Sequence, residues 1–461
     1  MLCAVMLIAR KAPDAIEWRN RRIYQLVTDR FASLDETPCK DLTKYCGGTY
    51  QGIIAKLDYI KNLGFNAIWI SPHVEQVDNS TSAYHGYWAS DFFKSNKFFG
   101  TDEELQLMIE EAHKRDIWVM ADVVYNHVGR CHQDFSKLDL SCQVTFPLLE
   151  HYHTGNCHDD WDCSLAGLPD LNQTNEYVSK TLIEWAEYLI DFYGFDGFRI
   201  DTVKWINHDW WKTLRPHTPW YNVGEVWDVT YERLAAYMKP DEVYAVLNYP
   251  LSCRMNDAIY NSGNSMGVFW EYFNQAQEAM DAVGSNPADM GVFLENHDNP
   301  RFLHFSGDKT AYRNALCISQ TWIGVPITYY GAEQDMDGGN DPDCRRPLWH
   351  YGYNQQAPEY LFLQKINKMR AKFDFTNMDQ KMLIAENNFL VFSRGKQFVV
   401  ATTNSGSGSG QISRSVDTQF EANAKVCNIF DGQCTNVGGN GKLQITLNGG
   451  EPAIYVRERD L

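Results

Sequence analysis

Four short stretches of this 461-residue chain run from apolar residues into side chains that can give or take a proton. They are Asp122-Val-Val-Tyr-Asn126-His127, Gly197-Phe-Arg199-Ile-Asp201, Gly224-Glu225-Val226-Trp227 and Glu295-Asn296-His297-Asp298. One alone means little, because Asp or Asn after a strand commonly serves as a turn residue or helix cap. Four at corresponding places point to acid–base chemistry. Arg199 precedes Asp201 by two residues, so on an extended strand both side chains face the same way. A fixed cation there favours an ionised Asp201. Taken in isolation, the pair reads more simply as an internal ion pair. A metal held by Asp201, His127 and His297 is disfavoured, since Arg199 would repel a cation beside its own ligand.

Such side chains meet only if a scaffold ends all four stretches on one face. From residue 23 to about 375, short β-branched or aromatic runs alternate with amphipathic stretches, the rhythm of repeated βα units. Strands are predicted at Ile23 to Val27, Ala67 to Ile70, Trp118 to Val124, Gly197 to Asp201, Tyr221 to Val226, Tyr244 to Leu247, Val292 to Leu294 and Pro326 to Tyr330. Eight strands suit a closed barrel, whose active site is built at the carboxyl ends of the strands. Helices are expected at Gln51 to Asn62, Asp102 to Lys114 and Glu176 to Phe192, the last with Val178, Leu182, Trp185, Leu189 and Phe192 on its packed face. About fifty residues rich in Cys, His, Asp and Gly follow the third strand, too many for a simple loop. The expected fold is therefore α/β. It has a (β/α)8 TIM barrel (20–126 and 172–375), a small inserted domain after the third strand (127–171) and a C-terminal all-β sandwich (376–461).

Composition narrows the class. Lys and Arg number 41 against 59 Asp and Glu, a formal charge of −18, which is the wrong sign for a nucleic-acid partner. No run of about 18 apolar residues occurs, so no spanning helix is expected. The opening Met1-Leu2-Cys3-Ala4-Val5-Met6-Leu7-Ile8-Ala9 has the look of a shortened secretory h-region without a basic n-region. Aromatic residues make up 14% of the chain, which serves core packing and sugar-binding clefts equally well. Cysteines fall in tight local pairs, Cys39/Cys46, Cys131/Cys142, Cys157/Cys163 and Cys427/Cys434, which suggests disulfides and an oxidising compartment. Zinc is the weaker alternative, with only Cys157-His158 near ligand spacing. Cys317 reads as a buried thiol, and Cys253 and Cys344 lack partners unless they meet each other. Asn79-Ser80-Thr81 and Asn172-Gln173-Thr174 are glycosylation sequons.

Longer strings carry a resemblance: Tyr24-Gln-Leu-Val-Thr-Asp-Arg30-Phe, Cys46-Gly-Gly-Thr-Tyr-Gln-Gly52, Tyr84-His85-Gly-Tyr87-Trp88 and Phe293-Leu-Glu-Asn-His-Asp-Asn-Pro-Arg301-Phe. The chain resembles the alpha-amylase family of glycoside hydrolases, most nearly its secreted fungal members. The resemblance implies Asp201 as nucleophile, Glu225 as general acid/base and Asp298 as the third carboxylate, in a retaining endo-hydrolysis of α-1,4-glucans by a secreted enzyme, expected to be monomeric. That chemistry needs one ionised and one protonated carboxyl across the glycosidic bond. Partial desolvation beside Val226 and Trp227 is expected to keep Glu225 protonated. By the same resemblance His127, His297, His85 and Tyr87 line the sugar before the cut bond; Tyr87 and Trp88 would offer it apolar faces or be ordinary core, and Arg199 counts among the substrate-binding residues. Lys204 reaches beyond the bond, and Asp341 and Arg345 contact the glycone side, although a surface salt bridge explains that last pair almost as simply. A structural calcium ion (Ca2+) is implied, held by Asn126 and Asp170 side chains and by carbonyls near Trp161 and at Trp205, the last standing where the fungal pattern has His. A transglycosylase or α-glucosidase would use the same carboxylates. A catalytically dead carbohydrate-binding relative is the reading from another class, and the retention of Asp201, Glu225 and Asp298 speaks against it.

Overall fold

The computed structural model describes residues 12–77, 82–132, 138–154, 157–260 and 264–461. The apolar start and the Asn79 sequon lie outside the described residues. Eight parallel strands form the central sheet: β1 (Ile23–Leu26), β2 (Ala67–Ile70), β5 (Trp118–Val123), β6 (Gly197–Ile200), β7 (Asn222–Gly224), β8 (Ala245–Val246), β9 (Gly291–Phe293) and β10 (Val325–Tyr329). They are the eight predicted strands: β2 spans its predicted range, β9 and β10 lie one residue earlier than predicted, and the other five are one to three residues shorter. Their order is β8-β7-β6-β5-β2-β1-β10-β9, and a parallel bridge between Leu247 and Gly291 joins the two edges, so the sheet closes. Every residue of these strands is buried, as expected where helices cover the outside and side chains fill the inside.

Local signals explain the surrounding helices. Tyr50–Leu63 is capped by the Thr49 side chain, which accepts from Gly52 N–H, and stops at Gly64 with φ +94°. A side chain at Gly52 would strike the Ala32 carbonyl, so glycine there lets the first turn lie against the chain leaving β1. Asp102–His113 begins in a capping box of Thr101 and Glu104. Glu176–Tyr188 buries Val178, Leu182, Trp185 and Leu189 as expected, but Phe192 is 39% exposed. A π-helical turn at Leu189–Tyr193 adds a residue to the repeat and brings Tyr193 to the packed face instead.

The insertion after β5 is not self-standing. Its ends are stitched by bridges His127 with Asp170 and Tyr152 with Leu171. Its backbone also pairs with the hairpin β3 (Val74–Gln76) and β4 (Ala89–Ser95): Gly129 N–H donates to the Ala89 carbonyl at 2.8 Å and Val144 N–H to that of Ser90 at 2.9 Å. All four expected cysteine pairs are disulfides. Cys253, Cys317 and Cys344 are free thiols; Cys317 is buried as expected, while Cys253 and Cys344 do not pair.

Beyond the barrel follow β11 (Gln380–Ala385), β12 (Leu390–Arg394), β13 (Phe398–Thr402), β14 (Ile412–Asp417), β15 (Lys425–Asn428), β16 (Cys434–Asn436), β17 (Lys442–Leu447) and β18 (Ala453–Arg457). Six form one antiparallel sheet, and β14 with β17 forms the second layer over its own apolar core. The sandwich is fastened to the barrel by Arg394, whose Nη1 donates to the carbonyls of Thr321 and Trp322, both at 2.8 Å. No described helix is long and apolar enough to cross a membrane.

Candidate active site

Arg199 is the hub. It sits on β6 in register with Asp122 on β5, and its guanidinium is fully buried. Nη1 donates to Asp122 Oδ1 and Asp201 Oδ1, both at 2.8 Å, and Nη2 lies 2.9 Å from Glu225 Oε2. The backbone holds these residues just past the strand ends: Asp201 N–H bonds the Val123 carbonyl and Glu225 N–H that of Ile200. Thr202 then takes φ +51°, uncommon for a β-branched residue, and its N–H donates to Glu225 Oε2 at 3.2 Å. The expectation that a fixed cation beside Asp201 favours its ionised form meets a competing effect here. One cation is shared by three buried carboxylates, and burial together with repulsion from Glu225 and Asp122 outweighs the Arg199 attraction, pushing Asp201 well up. Asp122 is pushed up to about 6, chiefly by burial.

A second corner is built from the loops after β9 and β10. Asp298 accepts from Arg345 Nη2 at 3.1 Å, and its Oδ2 lies 3.3 Å from His297 Nε2. Arg345 also donates through Nε to the His297 carbonyl at 2.7 Å and stands 3.3 Å from Asp341. Arg345 is buried, so the surface-salt-bridge reading holds only for the half-exposed Asp341 end. The His297 ring is fixed from both sides, with Gln25 Nε2 at 2.8 Å from Nδ1 and Tyr87 Oη at 2.8 Å from Nε2. Gln25 can only donate its amide N–H, and Tyr87 spends its hydroxyl proton on Asp122 Oδ2 at 2.8 Å. His297 is thus neutral with its proton on Nε2, in keeping with the burial that depresses its basicity. Tyr87 stacks on His297 with ring centres 5.5 Å apart, and His85 stacks on the other side of Tyr87 at 5.7 Å. Trp88 meets His85 edge-on at 4.8 Å. His127 is buried with Nε2 unpartnered, a donor or acceptor left over for a ligand.

A third group links barrel to insertion. One side-chain amide atom of Asn126 stands 2.6 Å from the Trp205 carbonyl oxygen and 3.1 Å from Asp170 Oδ1. As nitrogen it donates to both; as oxygen it completes a set of three hard acceptors suited to calcium. Asp170 favours the second arrangement. Its Oδ2 is buried without a partner, an orphaned acceptor that a cation would satisfy; burial plus the nearby Asp162 push its carboxyl up to about 8. Trp161, by contrast, is seen only with its ring against His153 at 5.6 Å. The acidic neighbour the sequence reading missed is Asp162.

Lys204 is tethered at the seam between barrel and insertion. It lies 3.7 Å from Asp160 of the insertion and 5.0 Å from the Trp205 ring centre.

Comparison with known proteins places this geometry. The model of the alpha amylase catalytic domain matches residues 25–161 and 161–392, and that of alpha-amylase domain C matches 382–461. An alpha-amylase of Saccharomycopsis fibuligera is 32% identical over 97% of this chain and 93% of that protein. The chain belongs to the alpha-amylase family. Among solved structures, an alpha-amylase from Malbranchea cinnamomea superposes with a TM-score of 0.89 at 32% identity, covering 96% of this chain and 98% of that one. A gamma-CGTase from alkalophilic Bacillus clarkii gives 0.84 at 26% identity, covering 96% and 71%.

In this member of the alpha-amylase family, several side chains around the cluster escaped sequence reasoning. Asp122 stands in the first of the proton-handling stretches, but its pairing with Arg199, set by the register of β5 and β6, did not show. Trp69, whose Nε1 donates to Asp122 Oδ2 at 2.9 Å, and Gln25 look like ordinary strand residues. Tyr249 gave no local signal, yet its hydroxyl donates to Glu225 Oε1 at 3.0 Å. Trp227 was expected to shield Glu225, but it is 46% exposed and stacks on Tyr249 at 5.5 Å, so Tyr249 forms the wall.

Proposed function

We propose that this chain is a retaining endo-hydrolase of internal α-1,4-glucosidic bonds in starch, glycogen and maltooligosaccharides. The observation that carries the reading is the placing of Asp201 and Glu225 on the two terminal nitrogens of one buried guanidinium, with Asp298 held by Arg345 and His297 in the same group of loops. Two close carboxyls are the requirement for double displacement. Asp201 attacks the anomeric carbon and forms a glycosyl ester while Glu225 passes a proton to the leaving oxygen. Glu225 then takes a proton from water, whose oxygen displaces Asp201 with overall retention. Asp298 orients the sugar hydroxyls and steadies the positive charge of the transition state. His85, Tyr87, Trp88, His127 and His297 supply one wall of neutral rings and hydrogen bonds for the sugar before the cut bond. Arg345 and Asp341 close its outer side, and Lys204 stands on the aglycone side.

Asn126, Asp170 and the Trp205 carbonyl would hold a structural calcium ion, which supplies positive charge between barrel and insertion. The working division of the chain is 20–126 with 172–375 for the barrel, 127–171 for the insertion and 376–461 for the sandwich. The four disulfides favour a secreted, extracellular protein, taken here as a monomer acting on glucan.

The test is incubation with soluble starch and with end-blocked maltooligosaccharides, following product size and anomeric form. Early α-anomers and a rapid fall in chain length are expected. Loss of glucose from free ends only, or cyclic and lengthened products, would move the reading to an α-glucosidase or a transglycosylase.

A further inference from the structure

Tyr249 begins the helix Tyr249–Tyr260, directly after the short β8, and is buried. Its hydroxyl is 3.0 Å from Glu225 Oε1 and 3.2 Å from Asn296 Nδ2. The direction of both bonds follows from Asn296, whose Oδ1 accepts from Asp298 N–H at 3.1 Å and Asn299 Nδ2 at 2.9 Å. That leaves the Asn296 NH2 facing the phenol. The phenol oxygen therefore accepts from Asn296, and its one proton is left for Glu225. Burial and the Glu225 charge push the Tyr249 phenol far above its ordinary range, so it remains a donor wherever the protein is folded. The buried ring stacks on Trp227 at 5.5 Å and meets Phe293 edge-to-face at 5.1 Å.

We propose that Tyr249 is a positioning residue: oriented by Asn296, it fixes Glu225 Oε1 and sets the pH range in which that carboxyl releases its proton to the substrate. This rests on the assignment of Glu225 as acid/base. A retaining mechanism asks the same carboxyl to be an acid in the first half and a base in the second. A donor bonded to the charged form favours that form. Glu225 has three such donors, and two cannot be removed cleanly: Arg199 also binds Asp122 and Asp201, and Thr202 donates from its backbone. Tyr249 alone is a neutral side chain whose proton can be deleted without altering charge. The other titratable groups around Glu225 and its guanidinium are Arg199, Asp201, Asp122, Asp298, His127 and His297, and all remain when that hydroxyl goes.

The experiment is Tyr249→Phe, which keeps the ring and its stacking. In the pH dependence of kcat/KM on maltooligosaccharides, the alkaline limb is expected to move up by about one pH unit, since a hydrogen bond to a charged group is worth roughly that much. A fall in kcat of about tenfold, with little change in KM, should accompany it, as expected when a bond to an acid rather than to the sugar is lost. A second readout needs no turnover. In protein carrying 13C at the glutamate carboxyls, the resonance that disappears in Glu225→Gln should titrate at higher pH in Tyr249→Phe than in the parent. An unmoved alkaline limb together with an unmoved resonance overturns the proposal. If the parent fails to cleave glucans, the functional reading falls, while the carboxyl titration still decides the role of Tyr249.

Discussion

Arg345 and Asp298 come from loops after adjacent barrel strands and are joined at 3.1 Å, and the same guanidinium holds the His297 carbonyl through Nε at 2.7 Å. One side chain thus fixes both a carboxylate and the peptide before it. A planar fork with donors on two sides is required, and an ammonium cannot copy it.

Arg345→Lys is therefore expected to keep the charge and lose the geometry. Two hydrogen bonds to anionic or polar acceptors would be lost or bent, so kcat/KM on maltooligosaccharides should fall by roughly 10- to 100-fold. Steady-state kinetics beside a thermal melt would check it. A variant within twofold of the parent would remove Arg345 from the site.

The carboxylate cluster should trade stability for function. Because Asp201 is raised on folding, its favourable contribution is complete below its unfolded value, near pH 4, and is lost as pH rises beyond it. Asp201→Asn is thus expected to abolish hydrolysis and to raise Tm at pH 7, on the order of 2 °C for a chain of this size, with the gain shrinking toward pH 4. Calorimetry at the two pH values is the measurement, and a lower Tm for the variant at pH 7 would contradict the crowding.

Metal removal should act through the seam between barrel and insertion. A chelator is expected to lower Tm by several degrees, and added calcium to restore it, because an ion bound only to the folded chain stabilises by mass action. Asp170→Asn should melt at the same temperature with or without chelator. If the parent itself is indifferent to chelator, Asn126 simply donates its amide to Asp170 and the Trp205 carbonyl.

Much of this arrangement was legible before any coordinates. The eight strands declare themselves because buried parallel strands are short unbroken apolar runs, and Asp201, Glu225 and Asp298 because each ends one of those runs. The four local cysteine pairs, six to eleven residues apart, form the disulfides their spacing suggested, although spacing by itself leaves connectivity open. What stayed hidden depends on residues far apart in the chain. Tyr249 lies 24 positions from Glu225, and the π-turn that exposes Phe192 arises from packing of Tyr193 rather than from any helical periodicity. Nor does sequence tell that Arg199 divides itself among three acids, since the partner on β5 is a matter of strand register.

Gln25, near the amino end of the barrel, orients His297, 272 positions later. A chain emerging from the ribosome therefore cannot fix the His297 ring until most of the barrel has been synthesised and β1 has met the loop after β9. A fragment that begins after Gln25 or stops short of His297 would lack this pairing and leave the imidazole held from the Tyr87 side alone.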